Sequence, residues 1–142
     1  MTTNSENVKK RVLCCGTFDY FHPGHESFLR QAAGLGNELF VVIARDSNVK
    51  NIKGKYPDHD ELTRKLTVES LGIADEVRLG YEGSNFLRIV KEVNPDIIAL
   101  GYDQHGPTNL EKMFPNINVK IMKAFRPEKF KSSFLRRNKN NG

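Results

Sequence analysis

The sequence lacks three features that would each point to a particular class of protein. It has no long apolar stretch, so it predicts neither a membrane span nor the hydrophobic region of a secretory signal. Its only two cysteines, Cys14 and Cys15, are neighbours, and adjacent Cα atoms lie about 3.8 Å apart, closer than an ordinary disulfide permits. Tryptophan is absent altogether. The first two absences predict a cytoplasmic protein with reduced thiols.

The length and the charge of the chain limit what it can be. A chain of 142 residues is about one average domain. We expect a single domain over residues 9–137, with disordered polar tails at residues 1–8 and 138–142. The net charge is +5, but residues 120–142 carry +7, which leaves −2 for the rest. This basic end favours an anionic partner, which could be nucleic acid or a phosphorylated small molecule.

Short apolar segments alternate with amphipathic ones along the chain. Strands are predicted at residues 12–15, 39–44, 76–79, 97–100 and 119–122. Helices are predicted at residues 26–33, 60–71, 85–93 and 132–137. The third of these helices should turn its apolar residues inward, namely Phe86, Leu87, Ile89, Val90 and Val93. The alternation predicts the α/β class, a Rossmann-like open parallel sheet of about five strands with helices on both faces.

In such sheets ligands bind beyond the carboxyl ends of the strands, and the segment GTFDYFHPGH, residues 16–25, lies there. Gly16 lets the backbone turn close to a ligand. The helix that starts near Pro23 or His25 should direct N–H groups and its positive dipole end at the same space. His22 and His25 can present two donors to one side of a phosphate. Asp19 could order the loop or help to hold a metal that travels with a nucleotide.

Other interpretations of the histidine pair are weaker. H-x-x-H could be half of a zinc site, but the only thiols are adjacent on a strand, where side chains alternate between faces. The two histidines could instead be structural, capping the helix or packing under the loop. A Walker-type phosphate loop is excluded because no G-x-x-x-x-G-K-[ST] occurs. Phosphate binding by the two imidazoles remains the favoured hypothesis.

Three lysines follow the second predicted strand, in a segment that we expect to be a loop: Lys50, Lys53 and Lys55. A solvated charged loop is the alternative. Because the segment lies at the carboxyl end of a buried strand, the pattern favours an anion site for a second substrate.

Residues 16–25 resemble the G-T-F-D-x-x-H-x-G-H signature of the cytidylyltransferase-like nucleotidyltransferases, whose H-x-G-H is shared with class I aminoacyl-tRNA synthetases. The resemblance implies the nucleotidylyl transferase fold and a nucleotide bound along this segment, by Gly16, Thr17, Phe18, Asp19, His22 and His25. The two histidines would hold its phosphates and stabilise charge at the α-phosphate as pyrophosphate leaves. An attacking phosphate is already a nucleophile, so alignment and charge neutralisation suffice for catalysis.

The resemblance extends through later segments to about residue 137. It implies that Arg64 reaches a phosphate, although pairing with Glu61 on the helix surface explains this arginine nearly as well. Asp103 would accept from a ribose hydroxyl, or else be a turn residue. In the basic segment at residues 125–137, the implied nucleotide contacts are Arg126, Ser132 and Ser133.

Within the family, VIARDSNVKNIKGKYP at residues 42–57 and LGYDQ at residues 100–104 most resemble the archaeal FAD synthases, which join FMN to the AMP part of ATP. This implies Mg²⁺-ATP and FMN as substrates, no nucleic acid and no membrane as partners, and a homodimer. Lys53 would be catalytic by holding the FMN phosphate, with Lys50, Lys55 and Arg64 beside it.

Two alternatives to FAD synthesis stay open. The glycerol-3-phosphate cytidylyltransferases use CTP, but they typically show G-D-D-W where this sequence has GYDQ and no tryptophan. The second alternative is a non-catalytic basic module that binds nucleic acid. Its basic residues are not interleaved with aromatic ones, as a stacking platform would need.

Overall fold

The structure is a computed structural model that describes residues 9–83, 85–102 and 110–124. Its strands are β1 Arg11–Gly16, β2 Glu38–Ile43, β3 Glu76–Leu79, β4 Ile97–Leu100 and β5 Asn118–Ile121. Its helices are α1 Pro23–Ala33, α2 Asp46–Lys53, α3 Glu61–Ser70, α4 Phe86–Val93 and α5 Leu110–Met113. The predicted helix at residues 132–137 and both predicted tails lie outside the described residues.

The five strands form one parallel sheet in the order β3-β2-β1-β4-β5. β1 lies in the middle because its residues are apolar on both faces, with Val12, Leu13 and Cys14 all inaccessible to solvent. β3 and β5 are the edges, and β5 is exposed along most of its length. The prediction of an open parallel sheet of about five strands is confirmed.

Helices cover both faces of the sheet, as predicted. On one face, Leu29 of α1 and Val68 of α3 join a core that includes Val12 and Val41. On the other face, α4 and α5 pack against the strands. The buried residues of this second core are Leu13, Val42, Ile89, Val90, Val93, Ile98 and Leu110. Each strand therefore divides its side chains between two cores, which gives a three-layer α/β molecule.

The sequence-based assignment missed the short helix α5 and was wrong in two further places. Residues 46–53 form helix α2, not a loop, so Lys50 and Lys53 are helical residues. The helix begins with Asp46 in its first turn and ends at Gly54, whose φ of 85° is the left-handed conformation that glycine favours. On α4, Leu87 is 43% exposed, so this side chain does not face inward with its neighbours.

Cys14 and Cys15 point to opposite faces of the sheet, and neither forms a disulfide. Burial raises the pKa of Cys14 well above its ordinary value and raises the pKa of Cys15 to about 12. Both thiols are therefore protonated at neutral pH and are poor nucleophiles. Within the described ranges, no helix has the length and apolar character that crossing a membrane requires.

The strand order of the sheet identifies the crevice in which a ligand is expected to bind. From β1 the chain proceeds outward through β2 to β3 and then returns to the other side of β1 as β4. The strand order therefore reverses between β1 and β4, and this is where ligands bind in open α/β sheets. The segment that follows β1 contains both histidines of the H-x-G-H sequence.

Candidate active site

Gly16 and Phe18 shape the start of the segment after β1. The Phe18 ring is 5% exposed and belongs to the core. A Cβ atom at position 16 would lie 2.7 Å from the Phe18 ring, so glycine is required at position 16 by this packing. This packing accounts for glycine at position 16 without a ligand, so contact of Gly16 with a nucleotide stays a prediction. Because the Phe18 side chain is buried, a nucleotide contact of this residue would be made by its backbone.

The two histidines form a hydrogen-bonded cap at the start of helix α1. His22 is the N-cap residue, and its Nδ1 accepts a hydrogen bond of 3.0 Å from the backbone N–H of Gly24. His25 lies three residues later, and its Nδ1 accepts a bond of 3.3 Å from the backbone N–H of His22. The rings stack with centroids 3.9 Å apart and an interplanar angle of 25°. This is a capping box in which imidazoles replace the usual hydroxyl and carboxylate.

The charge state of the pair follows from its burial. Desolvation lowers the pKa of His22 below 6.5, and desolvation together with the charge of His22 lowers the pKa of His25 to about 4. Both rings are therefore neutral at pH 7. Because each Nδ1 accepts a hydrogen bond, the single proton of each neutral ring resides on Nε2. Among the described residues neither Nε2 has a hydrogen-bond partner, which makes both N–H groups candidate donors to an anion.

The helix start does not offer the backbone donors that the sequence predicted. The N–H of Gly24 is bonded to the His22 ring, and the N–H of His25 donates to the His22 carbonyl at 2.9 Å. Pro23 has no N–H. The expectation of unoccupied amides at this position is therefore wrong, and the imidazole Nε2–H groups are the donors that remain for an anion, assisted by the helix dipole.

Asp19 orders the loop, which was one of the two predicted roles. Its carboxylate accepts hydrogen bonds from the backbone N–H groups of Asp58 and His59 at 2.8 and 3.2 Å, and it contacts Nδ1 of His59 at 2.7 Å. Burial opposes ionisation of Asp19, but the hydrogen bonds from His59 and Asp58 outweigh it and lower the pKa. The His59 contact could not be predicted from the sequence, because the two residues are 40 positions apart.

Arg64 has a structural role, which corrects both interpretations of this residue. Its side chain is 1% exposed. The guanidinium donates to the carbonyl oxygens of His59 and Thr17 at 2.9 and 2.8 Å and to the Asp46 carboxylate at 2.6 Å. Glu61 pairs with Arg45 instead, at 3.0 Å. Arg64 thus joins α2, α3 and the segment after β1 through acceptors of the protein itself.

The three lysines differ in where they lie. Lys53 is an exposed residue at the end of α2, and its charge makes the smallest of the four contributions to the pKa of His25. Lys50 instead lies with its ammonium 3.4 Å from the Gly54 carbonyl and 5.6 Å from the centre of the Tyr56 ring. Lys55 is exposed beyond the helix end. Lys53 is therefore the lysine that the structure associates with His25.

Four of the predicted nucleotide contacts, Asp103, Arg126, Ser132 and Ser133, lie outside the described residues. Within the part of the chain that the structure describes, no group of three or more His, Cys, Asp or Glu side chains could hold a metal ion. The Asp19 carboxylate already has three donors from the 58–59 backbone and the His59 ring. The described residues therefore do not fit a resident metal site.

The lowered pKa of His25 predicts that the fold loses stability in mild acid. In the unfolded chain this residue takes up a proton near pH 6.5, whereas in the folded protein it does so near pH 4. Between these values the unfolded state binds more protons, so the free energy of unfolding decreases as the pH falls. Urea unfolding at pH 7 and pH 5 measures the decrease, which should be smaller in His25→Asn. An equal decrease in both proteins would refute the assignment.

The arrangement defines a class of protein. A doubly wound parallel sheet with a histidine-capped helix at its switch point is typical of nucleotide-binding α/β proteins. A family model described as cytidylyltransferase-like matches residues 13–138. The chain belongs to the cytidylyltransferase-like family.

Similar curated proteins include several archaeal enzymes named FAD synthase. That of Methanobrevibacter smithii is 47% identical over 81% of this chain and 75% of its own length. That of Methanosarcina acetivorans is 56% identical over 67% of this chain and 61% of its own length. The Thermococcus sibiricus protein is 38% identical over 95% of this chain and 92% of its own length.

Two solved structures support the fold. A lipopolysaccharide core biosynthesis protein from Thermoplasma volcanium superposes with a TM-score of 0.77 at 36% identity, covering 83% of this chain and 99% of that one. Pantoate-beta-alanine ligase from Francisella tularensis superposes with a TM-score of 0.61 at 17% identity, covering 93% and 65% respectively. The second likeness concerns the fold alone.

Proposed function

We propose that this protein is a nucleotidyltransferase that transfers the AMP moiety of ATP to FMN, giving FAD and pyrophosphate. The observation that carries the proposal is the neutral histidine pair, whose two Nε2–H groups lie at the switch point of the sheet. The FAD synthases named above support ATP and FMN as the substrates, because one of them is similar over 95% of this chain.

In the proposed reaction, an oxygen of the FMN phosphate attacks the α-phosphorus of ATP, and the bond from that phosphorus to the bridging oxygen breaks. Pyrophosphate leaves with the bonding electrons. His22 and His25 donate from Nε2 to phosphate oxygens as negative charge increases on them. Lys53, whose charge acts on His25, holds the FMN phosphate in line. The chain needs no general base, because the phosphate nucleophile is already ionised at neutral pH.

Neutral imidazoles suit this task. Each proton that they donate is fixed on Nε2 by the hydrogen bond at Nδ1, so the donors are oriented before the substrate arrives. A phosphate that replaces water beside them meets two aligned N–H dipoles, and little reorganisation is required. The partly buried setting strengthens these interactions relative to those in water.

We propose that Mg²⁺ enters as part of the substrate, bound to the triphosphate of ATP. The described residues offer no group of ligands for a resident ion, and Asp19 is engaged by His59 and the neighbouring backbone. The assignments of Asp103, Arg126, Ser132 and Ser133 to the nucleotide remain proposals that rest on the family resemblance. Thr17 is proposed to contact the nucleotide through its N–H, since Arg64 occupies its carbonyl.

A matrix of substrates tests the function. ATP or CTP, each with Mg²⁺, is combined with FMN, glycerol 3-phosphate or phosphocholine, and pyrophosphate release is measured. We expect turnover with ATP and FMN, and excess chelator, which removes Mg²⁺, should abolish it. Turnover only with CTP and glycerol 3-phosphate would establish the cytidylyltransferase alternative. Salt-sensitive retention on RNA without turnover of any pair would establish the nucleic-acid-binding module.

We also propose that the protein is a cytoplasmic homodimer. Helix α3 exposes two leucines one turn apart on one face, Leu62 at 60% and Leu66 at 63%. Exposed apolar side chains on one face are typical of protein interfaces. Sedimentation equilibrium should give twice the mass of one chain, and Leu62→Glu/Leu66→Glu should give one chain. A wild-type protein that sediments as a single chain would disprove the dimer.

A further inference from the structure

The residues Asp58 and His59, here called the 58–59 segment, are held against the loop after β1 by two adjacent loop residues, Asp19 and Tyr20. Asp19 accepts from the backbone N–H of both and from the His59 ring. The Tyr20 hydroxyl is hydrogen-bonded to the Asp58 carboxylate. The Tyr20 and His59 rings meet edge to face, with centroids 5.2 Å apart. The loop and the segment are therefore joined through side chains as well as backbone.

The loop has a backbone that needs this support. Phe18 and Tyr20, which flank Asp19, have φ values of 57° and 52°. Residues other than glycine adopt this left-handed conformation at a cost, and they retain it only where the surroundings fix it. Core packing fixes Phe18. Next to it, Asp19 and Tyr20 are fixed by the 58–59 segment.

A hydrogen bond from a buried arginine also anchors the 58–59 segment. Buried Arg64 donates to the carbonyl of His59 and to the carbonyl of Thr17. The same guanidinium bonds to Asp46 at the start of α2, the helix that ends in Lys53. Arg64 thus links the 58–59 segment to the loop that carries the histidine pair and to the helix that carries Lys53.

We propose that His59 is a positioning residue for the transfer reaction: it holds Asp19, and Asp19 fixes the turn that sets the rings of His22 and His25. The effect on catalysis depends on the function proposed above, whereas the effect on the two rings depends on this chain alone. His59 acts through Asp19 and is not assigned a contact with substrate. Its side chain is 47% exposed, so replacing it removes few packing contacts.

The hydrogen-bond chemistry selects the variants. An ionised carboxylate only accepts, so Nδ1 of His59 is the donor to Asp19. Asparagine places its amide N–H close to the position of Nδ1 and keeps the donor, whereas alanine removes it. His59→Ala should therefore lower kcat by about 10-fold to 10²-fold, because small displacements of catalytic groups have effects of that order. His59→Asn should stay close to wild type.

Three readouts separate positioning from a general structural role. In His59→Ala, kcat should fall while KM for FMN stays unchanged, and adding His59→Ala to Asp19→Ala should lower kcat no further. In the ligand-free protein, the NMR signals of the His22 and His25 rings should shift in His59→Ala and stay in place in His59→Asn.

Specific results would overturn the inference. These are an unchanged kcat in His59→Ala, an equal loss of kcat in His59→Asn, and fully additive losses in the double variant. Should the wild type lack activity with ATP and FMN, the proposed function fails on its own, and the ring signals still decide the role of His59. Unshifted ring signals in His59→Ala would then refute it.

Discussion

Replacing either His22 or His25 by asparagine should lower kcat by roughly 10²-fold or more with little loss of stability. Asparagine Oδ1 occupies nearly the position of imidazole Nδ1, so it can still accept the backbone N–H that each ring now binds. It is also among the best N-cap residues. What asparagine lacks is the Nε2–H that we assign to phosphate. Pyrophosphate release under saturating ATP and FMN, together with urea unfolding, measures both effects.

Glutamine provides the matched comparison. Its amide N–H reaches close to the position of Nε2, but its carbonyl cannot replace Nδ1 as well as that of asparagine can. His22→Gln and His25→Gln should therefore recover part of kcat and be less stable than the asparagine variants. If kcat instead follows stability across all four variants, the histidines are caps of α1 and nothing more. This comparison separates the catalytic interpretation of the pair from the structural one. The capping hydrogen bonds alone do not, because they are compatible with both.

Replacing Lys53 by alanine should raise KM for FMN by about 10-fold to 10²-fold and change KM for ATP much less. A hydrogen bond to a charged group contributes about 1.5–3 kcal/mol, and each 1.4 kcal/mol corresponds to about a factor of ten. The structure associates Lys53 with His25 through the pKa of that imidazole. Initial rates with one substrate varied and the other saturating give the two KM values.

Lys65→Ala is the control for removing one positive charge. Lys65 lies on α3 and pairs with Glu69 at 3.0 Å. Its loss should leave both KM values at the wild-type level. A similar rise of KM in both variants would mean that FMN senses only net charge, and no rise in Lys53→Ala would mean that Lys53 is merely solvated.

Where apolar patterning is strong, the sequence predicted the fold. β4 at Ile97–Leu100 and helix α4 at Phe86–Val93 were predicted because their buried residues follow the periods of a strand and a helix. Helix α2 was missed although its stop signal, Gly54, is present. Its buried residues are Asn48 and Val49, so the helix has almost no apolar period. Hydrogen bonds of Asn48 to residues 81 and 83 replace that apolar contact.

The position of the candidate site could be predicted from the sequence, but the charge state of the histidine pair and the burial of Arg64 could not. The histidine pair at the end of β1 follows from its spacing and its neighbours. Its neutrality does not, because burial and the stacking of the two rings are three-dimensional. The burial of Arg64 could not be foreseen either, since its acceptors come from residues 17, 46 and 59. A charged residue early in a helix is more often exposed.

The central claim is that both Nε2–H groups contact the phosphates of the nucleotide. A crystal structure with an ATP analogue that cannot be cleaved between the α- and β-phosphorus tests it most directly. A phosphate oxygen should lie within about 3.2 Å of Nε2 of both His22 and His25. A triphosphate bound elsewhere, with both Nε2 atoms facing water, would contradict it.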